Sequence, residues 1–329
     1  MKREKLVFLV WTVQTRRSLT LAMSLEARLI FLNGARKSFL LKLLRYLQLT
    51  VKTLKVLKME RPDLVFVQNP PLYSLLPVFL YARWYHKKYI IDSHTRTFCV
   101  ERIHHRLFLQ LHRYFSRFAT VLLLHNEDLS PIGKSWRAPF FILEDRIPPF
   151  DLPPKRNGEK KKPTLAVICS FSPDEPIREI LEAAERLEKV HFNLTGNNEN
   201  FINEWRLTHP SNITFTGFLE EGEYLRLLQE SDAILVLTKR PFTLLCGAYE
   251  AVAVGRPLIT SNLPLLKRHF QKGTIHVENT PEGIEGGIRR ALSSLDRLSE
   301  EIIELKKEKE KEWKRRFEIL QKVLYEENR

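Results

Sequence analysis

Cysteine is almost missing from this chain of 329 residues, which holds three: Cys99, Cys169 and Cys246. They are far apart and odd in number, so they make neither a disulfide framework nor a zinc-ligand spacing. A reducing compartment is implied. Glycine is scarce too, at 12 residues, which excludes a collagen, a linker protein or a glycine-rich array. Long apolar runs are lacking. The longest, 72–84, is short and broken by Pro77 and Arg83, so no span of the bilayer is read. The start meets Arg16 and Arg17 after seven apolar residues and offers no small-residue cleavage site. It makes a poor signal peptide. The expectation is a protein kept in the cytoplasm, in solution or peripherally on the inner face of the cell membrane.

Acidic residues are scarce at one end only. The chain carries 53 basic and 39 acidic side chains, a net charge of +14. Residues 1–150 hold 25 basic against 10 acidic, or +15, which leaves 28 against 29, or −1, for the remainder. Such asymmetry points the first half at something anionic: nucleic acid, a membrane surface or a phosphorylated substrate. Hydrophobic residues make up 43% and charged residues 28%, which excludes wholesale disorder.

Short runs rich in Val, Ile, Leu and Phe alternate with longer amphipathic ones. The runs 6–12, 27–32, 64–68, 89–92, 119–124 and 140–143 read as buried strands. Helical patterns over 18–25, 37–59, 72–86, 100–118 and 128–136 separate them. Prolines 148, 149, 153, 154 and 163, with a charge run at 159–162, break the pattern. Alternation restarts with strands at 165–169, 190–195, 213–216, 233–237, 257–260 and 274–277. Helices fit 174–187, 221–230, 243–254, 263–270 and 281–292. The expected fold is therefore α/β, with two doubly wound Rossmann-like domains at 1–147 and 164–293 joined by a linker at 148–163. A long charged helix follows at 294–329. Tandem domains of this kind place a ligand cleft at the carboxyl ends of their strands.

Several segments carry chemistry at those strand ends. After the strand 233–237 come Lys239 and Arg240, cations able to neutralise a leaving diphosphate. Thr243 and Gly247 open the next helix, whose amino-terminal amides suit phosphate, and Glu250 lies in its second turn. That helix also fits an ordinary surface helix capped at Gly255, with Glu250 in water. His94 closes the strand 89–92, so it points into the cleft. Asp92 fits either a general base or a cap. Arg16 and Arg17, with Ser18, stand at a helix amino terminus after the first strand, where they bind an acceptor phosphate or stay solvated. No Asp-x-Asp triplet occurs, so neither a bound metal nor any cofactor is expected. Two segments, 36–58 and 100–118, interleave basic residues with Leu and Phe, the composition of an interfacial helix or of a core helix with a wet basic side.

The segment 247–259, Gly-Ala-Tyr-Glu-Ala-Val-Ala-Val-Gly-Arg-Pro-Leu-Ile, resembles the donor-site signature of GT-B glycosyltransferases, family 4 and its relatives. Ser170-Phe-Ser-Pro-Asp-Glu-Pro, Leu194-Thr-Gly196-Asn, Phe215-Thr-Gly-Phe-Leu and Ser231-Asp-Ala follow the family's order. Local similarity runs to the mannosyltransferases that add the first mannose to dolichol-linked chitobiose, through Gln68-Asn-Pro-Pro and Ile91-Asp-Ser-His. The resemblance implies donor binding by Ser170, Gly196, Arg240, Thr243, Gly247 and Glu250, with Glu250 on the ribose or the sugar. It implies a catalytic role for His94, Asp92 and Glu250, and acceptor binding by Arg16, Arg17 and Ser18. The expected partners are a nucleotide-sugar donor, a lipid-linked or anionic glycan acceptor and an anionic membrane surface, with no nucleic acid. Polysaccharide or glycolipid synthesis without a metal is the implied reaction. Two departures stand out. Phe242 occupies the place of the family's first glutamate, and Thr15-Arg16-Arg17-Ser18 replaces its glycine-rich first loop. The departures keep an inactive GT-B partner subunit open. The basic half keeps a nucleic-acid-binding protein open, although no helix-turn-helix, zinc-finger or RNP pattern occurs.

Overall fold

The computed structural model describes residues 5–11, 15–32, 39–98, 103–152, 162–197 and 210–325, with 39–43 and 103–105 as backbone only. Arg36, Cys99, Arg102 and most of the proline-rich linker lie outside these. Two compact units result. Unit 1 is Met1–Arg146 with Trp313–Arg329, and unit 2 is Ile147–Glu312.

Unit 1 is built on six parallel strands: β1 (Leu6–Val10), β2 (Arg28–Phe31), β3 (Leu64–Asn69), β4 (Lys88–Ser93), β5 (Val121–Leu124) and β6 (Phe140–Ile142), in the order β2-β1-β3-β4-β5-β6. The helices are α1 (Arg16–Leu25), α2 (Phe39–Glu60), α3 (Leu75–Tyr85), α4 (Ile103–Phe118) and α5 (Ser130–Trp136). Strand side chains alternate between faces. Val7, Leu9, Val65, Val67 and Ile91 pack with Leu57, Val78, Tyr81, Phe115 and Trp136. Phe8, Val10, Phe66, Ile90 and Leu123 pack with Leu21, Ala22 and Leu25, and also with Phe317, Leu320 and Leu324 from the end of the chain. Both faces are covered, which is why the strands read as continuous apolar runs instead of alternating ones.

Unit 2 repeats the plan with β7 (Thr164–Val167), β8 (His191–Thr195), β9 (Ile213–Gly217), β10 (Ala233–Val236), β11 (Leu258–Ser261) and β12 (Thr274–Val277), all parallel, in the order β12-β11-β10-β7-β8-β9. Its helices are α6 (Ile177–Glu185), α7 (Glu221–Glu230), α8 (Cys246–Val254), α9 (Pro264–His269) and α10 (Pro281–Leu292). The last helix, α11 (Leu295–Tyr325), contributes Leu298, Ile302 and Leu305 to the cores of unit 2 and Phe317, Leu320 and Leu324 to unit 1. It reads in the sequence as a charged appendage. Its apolar stripe is a structural part of both units.

In unit 2 two helices begin three residues later than the sequence pattern suggests. In place of a helix from 174, residues up to Pro176 form a loop, and α6 starts after that proline. In place of a helix from 243, Phe242 adopts a left-handed backbone and Leu245 an extended one, so α8 starts at Cys246. Both delays leave loop backbone at the carboxyl ends of β7 and β10, where the candidate donor residues lie. No helix among the described residues is long and apolar enough to cross a membrane.

Candidate active site

In unit 1 a charged cluster sits at the carboxyl ends of β4, β5 and β6. Parallel pairing sets Gln68 opposite Asp92 and Asn69 opposite Ser93, and the His94 amide donates to the Asn69 carbonyl at 2.9 Å. Asp92 is fully buried. Thr15 caps α1 through a capping box with Ser18, which fixes the first turn and leads Arg17 inward. Arg17 Nε donates to Asp92 Oδ1 at 2.9 Å and to Oδ2 at 3.2 Å, Nη2 donates to Oδ1 at 2.8 Å, and Nη1 reaches Asp145 Oδ1 at 2.7 Å. His94 Nε2 lies 3.5 Å from Asp92 Oδ2, and His125 Nε2 lies 3.5 Å from Oδ1. The two imidazole rings are 4.5 Å apart between centroids.

Charge settles the protonation of this cluster. Burial alone would raise the Asp92 carboxyl, but the Arg17 guanidinium, with His125 and His94, holds it well below the usual carboxylate range. Asp145 is lowered against the same burial penalty, again by Arg17 first. Burial and then the Arg17 charge push His125 down to about 4, so it is neutral at physiological pH. A carboxylate held this firmly ionised binds a proton poorly, which works against the general-base role read for Asp92. Its geometry suits holding His94 and His125 in place. Ser18 is likewise buried, its hydroxyl donating to the Thr15 carbonyl. Arg17 thus anchors two acidic groups from inside the fold, and of the three acceptor candidates Arg16 alone is not buried.

Among the described residues, Asp92, His94 and His125 are the one group whose ligand-type atoms lie within 4.8 Å of one another. The donor set does not suit a cation. Arg17 already places a fixed positive charge on both Asp92 oxygens, and a metal would have to displace it.

In unit 2 the candidate donor residues gather at the carboxyl ends of β7, β8 and β10. Glu175 closes the loop after β7 by accepting from the Ser170 amide, the Ser172 amide at 3.0 Å and the Ser170 hydroxyl at 2.9 Å. Asp174 accepts from Thr238 Oγ1 at 3.0 Å, and Arg240 pairs with it at 3.1 Å. Lys239 pairs with Glu179 at 2.6 Å. Gly196 has a positive φ of 87°, and a Cβ there would overlap the Cys169 carbonyl, so only glycine lets β8 end against the β7 loop. A Cβ on Gly247 would sit 2.9 Å from Ile168 Cγ2. That glycine therefore lets α8 close onto the end of β7. Thr243 lies partly buried in the loop ahead of α8, its hydroxyl 3.4 Å from the Pro241 carbonyl.

Glu250 is 6% exposed, not solvated, and accepts from the Tyr224 hydroxyl of α7 at 2.5 Å. Gly255 caps α8 in the left-handed conformation, donating to Ala251 and Val252. The structure thus groups Ser170, Gly196, Arg240, Thr243 and Gly247 along one strand-end edge of unit 2, and Arg17, Asp92 and His94 along the corresponding edge of unit 1. Sequence reading missed His125, Asp145, Asp174 and Glu175. His125 carried the signal that picked out His94, since it directly follows the strand Val121–Leu124.

Residues 174–320 match a protein-family model described as glycosyl transferase-like. The chain resembles the sucrose-phosphate synthase of Thermosynechococcus elongatus at 12% identity and a TM-score of 0.73, covering 98% of this chain and 99% of that one. It resembles Anabaena HepE, solved in complex with UDP-glucose, at 12% identity and a TM-score of 0.72, covering 97% and 100%. It resembles a glycosyltransferase of Rickettsia africae at 14% identity and a TM-score of 0.70, covering 99% and 100%. No curated protein sequence matches the chain. The fold is GT-B, two six-stranded parallel units with a long final helix. Residues 174–320 thus form a glycosyl transferase-like domain on this fold, which supports a transferase enzyme. Nothing in these likenesses favours the first-mannose transferases over other members of the class.

Proposed function

We propose that this enzyme transfers a sugar from a nucleotide-sugar donor to a lipid-linked or otherwise anionic glycan at the cytoplasmic membrane face, without a metal. The observation that carries the donor half is the family match over 174–320, which takes in the α8 segment with Glu250 and the strand-end residues Asp174 and Arg240. HepE, a protein of the same fold, was solved with UDP-glucose bound. Ser170, Gly196, Thr243 and Gly247 shape the donor edge, and Glu250, fixed by Tyr224, receives hydroxyls of the ribose or sugar. Lys239 and Arg240 exchange their carboxylate partners for the diphosphate as it leaves, which supplies the charge that a metal would otherwise bring. His94 and His125, held by Asp92, meet the reacting groups on the acceptor side, and the half-buried Arg16 serves the acceptor's anionic group. Arg17 and Ser18 act from behind, by holding the cluster and the start of α1.

A thermal-shift screen against UDP-, GDP-, ADP- and dTDP-sugars tests the donor half. A ligand at a hundred times its dissociation constant stabilises by about 2.7 kcal/mol, so the true donor class stands clear of the others. Glu250→Ala should fold and lose most of that shift. A screen in which no nucleotide sugar stabilises the protein overturns the reading.

A further inference from the structure

Unit 1 has an outer surface that its own core does not explain. On α2 the inward residues Leu49, Thr53 and Leu57 are buried. Yet Leu44, Leu47 and Val51, spaced i, i+3 and i+7 along the opposite side, are exposed, the two leucines at 58% each. On α4, His112, Phe115 and Ser116 are buried, while Leu107, Leu111, Tyr114 and Phe118 form an exposed stripe at i, i+4, i+7 and i+11, with Leu107 at 63%. Between them α3 buries Leu75, Val78 and Tyr81 and exposes Leu76, Trp84 at 62%, and Tyr85. Helix α2 packs on α3 and α3 on α4. Aromatic rings join the same region: Tyr46 of α2 stacks at 4.3 Å on Tyr73, in the turn that leads into α3, and Tyr73 meets Phe108 of α4 edge-on at 5.8 Å. The stripes thus belong to one face. A contiguous apolar surface of this kind marks an interaction site.

The charge on the same three helices says what covers it. Five basic residues lie on α2, one on α3 and three on α4, and the single acidic residue is Glu60 at the end of α2. Lys52, Lys55 and Lys58 are exposed beside the α2 stripe, Arg83 beside Trp84, and Arg106 and Arg117 beside the α4 stripe. A second copy of this chain would bring the same positive face against itself. Nucleic acid would satisfy the charges and leave the leucines and aromatic rings in contact with water. An anionic lipid bilayer satisfies both: leucines and rings enter the acyl boundary, Trp and Tyr sit at headgroup level, and basic side chains meet the lipid phosphates.

We infer that the α2–α3–α4 face of unit 1 is a bilayer-docking surface for anionic lipid. Each of these helices is the next one after the carboxyl end of its preceding strand. Leu44, Leu76 and Leu107, in the amino-terminal halves of α2, α3 and α4, therefore lie toward the sheet edge that carries Asp92 and His94. Docking brings a lipid surface to the acceptor side of that edge. The inference rests on unit 1 alone, and its test reads partition instead of turnover, so it stands or falls apart from the donor assignment.

The experiment is co-sedimentation of the full chain with vesicles of phosphatidylcholine alone, or of phosphatidylcholine with phosphatidylglycerol. The wild type should bind the anionic vesicles and leave the neutral ones largely free. Lys52→Gln with Lys55→Gln should weaken binding at least about ten-fold, from about 1 kcal/mol for each basic residue at the surface. Leu47→Ser with Leu107→Ser should weaken it comparably, with an unchanged melting temperature because both positions are exposed. Tryptophan emission should shift to the blue on binding in the wild type, and the shift should shrink in Trp84→Phe. Three results would overturn the inference: equal binding to neutral vesicles, full binding by either double variant, or duplex DNA bound more tightly than anionic vesicles with neither binding sensitive to the leucine changes.

Discussion

Arg17 carries most of the electrostatic design of unit 1. Its partners Asp92 and Asp145 are buried or nearly so, and removing one member of such a cluster leaves charge without compensation. Arg17→Met should lower unfolding free energy by about 3–5 kcal/mol. The double change Arg17→Met with Asp92→Leu should cost clearly less. Urea unfolding of the three proteins checks this, and a single variant within 1 kcal/mol of wild type would show the network to be dispensable. The buried imidazoles predict a pH dependence. Burial lowers His112 to about 3, and burial with Arg17 lowers His125 to about 4. Both are neutral in the fold and protonate in the unfolded chain below about pH 6.5. Their contribution is full above that pH and is lost as pH falls toward the folded values. Between pH 7 and 5 unfolding should lose about 2 kcal/mol per imidazole, and His125→Asn should flatten part of that slope. A stability profile flat over this range would contradict the burial. None of this network could be read in the sequence. Arg17 is 75 residues from Asp92 and 128 from Asp145, and no local pattern says that an arginine after a helix cap turns inward.

Elements were far more legible than side chains. Parallel strands covered on both faces are short, apolar and bounded by breakers, so the twelve strands read from periodicity each have a counterpart among β1 to β12. In unit 2 the helix starts that moved by three residues are those at Pro176 and Phe242, where one proline and one left-handed residue outweigh good helix formers. At Glu250 pattern and burial disagree: the helix is plain in the sequence, but the carboxylate's hydrogen bond from Tyr224 belongs to packing against α7. The final helix shows the same gap. Its charge was visible, whereas its apolar positions only gain meaning against the two cores they enter. Leu320, fully buried in unit 1, should cost about 2–5 kcal/mol as Leu320→Ala, although it lies in what looks like a charged tail. A loss under 0.5 kcal/mol in chemical unfolding would place the helix outside that core.

At the scale of the whole molecule, the two units divide the chemistry as they divide the charge. The second unit carries nearly all of the glycosyl transferase-like match, and the basic unit carries a buried histidine–carboxylate edge beside a basic, apolar helical face. Donor binding alone does not account for where the positive charge sits, since it lies in the other unit. The most direct test of the account is transfer itself: incubation of the full chain with labelled donor of the class found by thermal shift, anionic vesicles carrying lipid-linked glycans, and EDTA. The account predicts label in the lipid fraction at a rate that the chelator leaves unchanged, and none when the glycan lipids are omitted. Donor that binds yet is never transferred to any lipid or glycan, or transfer abolished by EDTA and restored by a divalent cation, would contradict it.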